Sequence, residues 1–239
     1  MQTSFSSRSF GHSGKAVFLL AGWKVKYYQF WLFAKILEWA GFQCILYVFN
    51  DDFFSPDIEQ TAANFHKAQN EILGEIERLR NKGVMNISIF GVSLGSALAF
   101  MVADRSRAVS KIIINMSGLD MVQSVWGWGE KTNPEFRRHF RRANITLSDL
   151  QKGWFDINPK NNIANIKNRN ILLYLSERDE IIPYAEGLVL ADSLKKNNHL
   201  RVMVSKRLNH FYAAVKNMFL FPRYINFYAP KYDSAIIIS

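Results

Sequence analysis

The stretch Asn86-Ile87-Ser88-Ile89-Phe90-Gly91-Val92-Ser93-Leu94-Gly95-Ser96-Ala97-Leu98-Ala99-Phe100 constrains this chain more than any other. A β-branched and aromatic run ends at Phe90. A Gly-x-Ser-x-Gly follows, and small and apolar residues then recur at helical spacing. The pattern reads as strand, sharp turn, helix, with Ser93 at the tip of the turn. A side chain held above the end of a strand needs a tight backbone turn. Side chains two residues to either side would collide, so glycine stands at 91 and 95. The helix that follows aims unbonded N–H groups and its positive end at the same point. An ordinary strand-to-helix turn with a capping serine would show the same five residues. The partners available to Ser93 decide between the two.

Around this stretch, strand and helix alternate. Continuous apolar runs at 16–20, 44–49, 86–90, 111–115, 170–176 and 200–205 read as buried strands. Helical spacing marks 28–40, 58–81, 94–104, 184–196 and 211–221. Strands that are apolar on both faces, each followed by a helix, form a parallel sheet covered on both sides. Right-handed crossovers gather the loops after each strand on one edge, where open α/β sheets bind ligands. The alternation breaks at 118–166, which contains no clear strand and reads as a mostly helical cap inserted in a single domain spanning 1–239.

Composition limits the alternatives. At 239 residues with 49% apolar side chains, the chain can bury a sizeable core. One cysteine, Cys44, excludes an internal disulfide, and its apolar surroundings predict a buried, inert thiol. No Cys/His cluster has metal-ligand spacing, so no metal or other cofactor is expected. No apolar run is long enough to cross a membrane. The first dozen residues are polar and Ser-rich, without the apolar core of a signal peptide, and read as an unstructured tail. A cytoplasmic protein is the expectation. The net charge of +10 favours acidic partners without identifying one. No nucleic-acid-binding module appears.

A serine hydroxyl is a weak nucleophile and needs a base, which in turn needs an orienting acid. Of the five histidines, His12 precedes the first strand and His66 lies within a helix. His199 falls on the opposite sheet edge, and His139 sits among arginines. Only His210 follows a strand and reaches the edge of Ser93. For the acid, Ser176-Glu177-Arg178-Asp179-Glu180-Ile181-Ile182-Pro183 follows the fifth strand on that edge. Position favours Asp179. Glu177, Glu180 and, more distantly, Asp120 are its rivals.

The order Ser93, Asp179, His210 resembles that of the α/β-hydrolase superfamily, whose nucleophile elbow is a Gly-x-Ser-x-Gly turn. The resemblance spans 16–221. It extends to Asp156-Ile157-Asn158-Pro159 and to Asp179-Glu180-Ile181-Ile182-Pro183, which is similar to the acid loop of that family. It implies an α/β/α core of six parallel strands ordered 2-1-3-4-5-6. The two antiparallel strands usual in front would be absent. It also implies an oxyanion hole from the backbone N–H groups of Leu94 and Trp23, and a lid at 118–166. The loop after the first strand reads Leu20-Ala21-Gly22-Trp23-Lys24 rather than His-Gly-Gly, a departure from the lipase pattern.

The implied chemistry is cleavage of a carboxylic ester or thioester through an acyl-enzyme. An acyltransferase on the same triad, or a binding protein without catalysis, would fit the same fold. Trp126, Trp128, Phe136 and Trp154, with Phe140, are the expected acyl-pocket residues, the alternative being that they simply pack the inserted segment. Arg137, Arg138, Arg141 and Arg142 either attract an anionic substrate or form a solvated helix face. The expected partner is a small acyl compound, not nucleic acid.

Overall fold

A computed structural model describes residues 4–131, 134–228 and 237–238. The chain runs β1 (Phe5–Phe10), β2 (Lys15–Leu20), α1 (Tyr27–Trp39), β3 (Gln43–Phe49), α2 (Ile58–Asn81), β4 (Asn86–Val92), α3 (Leu94–Arg105) and β5 (Val109–Asn115). Four helices come next: α4 (Met121–Lys131), α5 (Pro134–Arg142), α6 (Leu147–Gly153) and α7 (Pro159–Asn162). Alternation resumes with β6 (Asn170–Ser176), α8 (Tyr184–Lys195), β7 (His199–Ser205), α9 (His210–Met218), α10 (Phe221–Tyr228) and the two-residue β8 (Ile237–Ile238).

The strands form one sheet in the order β1-β3-β2-β4-β5-β6-β7-β8. The six expected strands are its parallel centre, in the expected order. Alternate side chains enter opposite layers. In β2, Ala16, Phe18 and Leu20 pack with α2 and α3, whereas Val17 and Leu19 pack with α1, α9 and α10. Both faces are thus buried, which is why these strands read as continuous apolar runs.

Two expectations need correction. The six-stranded sheet has an additional antiparallel edge strand, β1, where an unstructured tail was expected, and β8 pairs parallel with β7 at the other edge. An edge strand needs only one ladder partner and no continuous apolar face. Ser6 to Ser9 are exposed, while Phe5 packs on Tyr47 and Phe53, and Phe10 stacks on Tyr27. The helix expected over 211–221 is two helices. α9 ends at Met218, and the chain turns at Phe219 and Leu220 before α10. Pro222 suits the first turn of a new helix and not the interior of a continuous one.

Candidate active site

The site begins with backbone geometry. Ser93 adopts φ 51° and ψ −116°, a left-handed conformation unusual for a residue with a Cβ. It lies between β4 and α3, and its N–H donates to the carbonyl of Asn115 at 2.9 Å. The flanking glycines are required by contact. A Cβ on Gly95 would lie 2.3 Å from the Leu20 carbonyl oxygen and 2.6 Å from that of Ala21. One on Gly91 would lie 2.7 Å from both the Gly95 oxygen and Ser96 Cα. All these obstacles are backbone.

His210 reaches Ser93 from the start of α9. Its Nε2 is 3.0 Å from Ser93 Oγ, and its Nδ1 is 2.8 Å from Asp179 Oδ2. Asp179 is oriented in turn, because its Oδ1 accepts the N–H groups of Ile181 at 2.9 Å and Ile182 at 2.8 Å. Both side chains are almost wholly withdrawn from water. The rival carboxylates lie elsewhere. Glu177 is exposed. Glu180 accepts the backbone N–H of His210 at 3.0 Å, a positioning contact that the sequence left unassigned. Asp120 accepts Lys160 Nζ at 2.7 Å and Asn158 Nδ2 at 2.8 Å, at the root of α4. Burial alone would raise its pKa, but the hydrogen bonds from Lys160, Asn158 and the Gln123 N–H, with the Lys160 charge, outweigh burial and hold the carboxyl below its ordinary range.

A second positioning residue, Asn115, also gave no signal in the sequence beyond ending an Ile-Ile-Ile strand. It is fully buried. Its carbonyl holds the Ser93 N–H, its Nδ2 donates to the Ala214 carbonyl at 3.0 Å, and its Oδ1 accepts Asn217 Nδ2 at 2.9 Å. One residue therefore ties the serine turn, through its backbone carbonyl, to the helix that carries His210, through its side chain.

Ser93 and His210 open into a cavity of about 260 Å³. Its wall is apolar, formed largely by Trp23, Val25, Phe54, Met121, Val125, Ile181, Ile182 and Phe211, with the hydroxyls of Ser117 and Ser124. Among the described residues no Asp, Glu, Lys or Arg lines it. Leu94 and Trp23, the expected oxyanion donors, both border it beside Ser93. Leu94 opens α3, where backbone N–H groups lack intrahelical acceptors. Gly22 brings the Trp23 loop close, since a Cβ there would lie 3.7 Å from Ser93 Cβ.

The expected acyl-pocket residues are placed differently. Trp154 is fully buried, with Nε1 donating to the Ile58 carbonyl at 3.2 Å, and fastens α6 to α2. Phe136 is buried behind the cavity wall, against Trp23 and Phe54. Trp126 stacks on Phe140 and carries the Arg137 guanidinium 4.3 Å above its ring. Neither these three nor Phe140 lines the cavity, because the hydrophobic effect draws them into the packing of the insertion. The Trp128 side chain lies outside the described residues. The four arginines of α5 do not reach the cavity either. The remaining histidines, His12, His66, His139 and His199, are also absent from it. Among the described residues, no group of three His, Cys, Asp or Glu side chains is arranged to hold a metal ion, and no helix is long and apolar enough to cross a membrane.

No protein-family model matches the sequence. No curated protein matches it either. Solved structures do resemble it. A monoacylglycerol lipase from Paleococcus ferrophilus is similar at 17% identity and a TM-score of 0.62, over 94% of this chain and 99% of that one. A cold-adapted esterase from an Arctic intertidal metagenomic library matches at 13% identity and a TM-score of 0.59, over 94% and 92%. The 2,6-dihydroxy-pseudo-oxynicotine hydrolase matches at 16% and a TM-score of 0.66, over 97% of this chain and 67% of that one. The chain has the α/β-hydrolase fold.

Proposed function

We propose that this chain is a serine hydrolase that cleaves carboxylic esters or thioesters of apolar acyl groups. One observation carries the reading. Ser93 Oγ, both ring nitrogens of His210 and the Asp179 carboxylate form a continuous hydrogen-bonded line, 3.0 Å and 2.8 Å per link. With Nδ1–H directed at Asp179, Nε2 is the acceptor that takes the Ser93 proton. Ser93 Oγ attacks the substrate carbonyl carbon. The resulting oxyanion is held by the N–H groups of Leu94 and Trp23, and each such donor is worth about 3 kcal/mol in the transition state. His210 then returns the proton to the departing alcohol or thiol. Water, activated by the same imidazole, releases the acid and regenerates Ser93. The four helices between β5 and β6 act as the lid, with Met121 and Val125 of α4 forming part of the acyl wall. The esterase and the monoacylglycerol lipase that share this fold support the same reaction class.

A fluorophosphonate probe and a series of p-nitrophenyl esters test the proposal. The wild-type protein is expected to be labelled and to turn over the esters, and Ser93→Ala is expected to abolish both. Asp179→Asn should lower kcat by about 10⁴, since the analogous substitution fixes the wrong imidazole tautomer. Glu177→Gln should retain activity. A folded wild-type protein that is neither labelled nor active would leave a binding role for the fold. Preferential acyl transfer to an added alcohol would make it a transferase.

A further inference from the structure

The helix α5 is amphipathic in an unusual sense. Phe136 and Phe140 are buried one turn apart and lock it to Trp23, Phe54 and Trp126. The opposite face carries Arg138, Arg141 and Arg142, all exposed, with Arg137 half-buried beside them. Spacing of three and four residues puts these cations on one surface. Among the described residues, Arg138, Arg141 and Arg142 take part in no ion pair. Glu135, exposed in the first turn, is the single acid of the helix. Guanidinium groups that share a surface and have no ion-pair partner among the described residues repel one another, so the face formed by Arg138, Arg141 and Arg142 is suited to an anionic partner.

We infer that α5 is a docking surface for an anionic lipid membrane. The apolar side of the helix is already covered by the protein, so the attachment is electrostatic and at the surface, without insertion. The choice of a lipid surface rests on the proposed function. Phe136 packs against two residues of the acyl cavity wall, so the cationic face rides on the structure that would receive an acyl chain. His139 is the single ring among the exposed side chains of α5, too few for a platform on which successive bases stack, which disfavours single-stranded nucleic acid. The net charge of +10 keeps the rest of the molecule from opposing the approach.

Co-sedimentation of the full chain with phosphatidylcholine vesicles, with and without phosphatidylserine, tests the inference. Binding should require phosphatidylserine and fall steeply with added salt. The triple variant Arg138→Gln, Arg141→Gln, Arg142→Gln should bind roughly a hundredfold more weakly, at about 1 kcal/mol for each cation near an anionic surface. The corresponding triple lysine variant should bind nearly as wild type. Fluorophosphonate labelling and turnover of a water-soluble ester should be unchanged in both, which shows that they are folded. Equal pelleting with neutral vesicles, no pelleting at all, or undiminished binding by the glutamine variant would overturn the inference. So would α5-dependent binding to duplex DNA in preference to vesicles. Pelleting needs no turnover, so it succeeds or fails separately from the hydrolase reading.

Discussion

Ser93 sits in a backbone conformation that costs on the order of 1–3 kcal/mol and persists because its surroundings fix it. Gly91 and Gly95 are the conditions for that geometry. Gly95→Ala drives a methyl group into the carbonyls of Leu20 and Ala21 at the end of β2. The expected outcome is a loss of about 3 kcal/mol or more in urea unfolding, and loss of fluorophosphonate labelling in whatever protein folds. This part of the site was legible in the sequence because the turn forbids most residue types at those positions. The acid was less so. Three carboxylates stand within four positions, and only the path of the loop after β6 decides that Asp179 meets the imidazole while Glu180 meets the His210 backbone. Asn115 was not legible at all, since its partners Ala214 and Asn217 are about a hundred residues away in sequence.

At the scale of elements, the β5–β6 insertion is fastened at its root by polar contacts. Asp120 gathers Lys160, Asn158 and the Gln123 N–H, and Asn158 Oδ1 accepts the Met121 N–H at 3.0 Å. Asp120 is held below its ordinary pKa in the folded protein. The stability that accompanies this shift is present above the unfolded carboxylate value, near 4, and is lost as pH falls through the lower folded value. Asp120→Asn should therefore be less stable than wild type at neutral pH, and the gap in thermal midpoint should close below about pH 4. A gap that persists unchanged in acid would assign the effect to packing. The long helix α2 was legible to its ends: the helical spacing over 58–81 matches Ile58–Asn81, which Asp57 caps by accepting the Gln60 N–H. β1 was hidden because an edge strand is held by backbone hydrogen bonds that Ser and Arg make as well as valine does. The aromatic residues of the insertion misled for a related reason: composition shows that a side chain seeks burial, but not whether it finds substrate or protein.

Across the whole molecule, the site is assembled from distant parts of the chain. Ser93 and His210 are separated by 117 positions and meet only when β4, β5, β6 and β7 are all in register. Such non-local closure is slow compared with helix formation. During refolding from urea, far-UV ellipticity should recover before fluorophosphonate reactivity, and coincident recovery would show that the serine is competent in a partly formed sheet. The alternating pattern made a parallel sheet readable, since strands apolar on both faces and followed by helices pack no other way, whereas the order of the strands came from the resemblance to the α/β-hydrolase superfamily. The 117-residue span has a practical corollary. A fragment, a misregistered sheet or a collapsed intermediate lacks His210 beside Ser93, whatever its helix content. On the proposed function, covalent titration of Ser93 therefore counts correctly assembled molecules, and would give any preparation of this protein an internal standard of its native fraction.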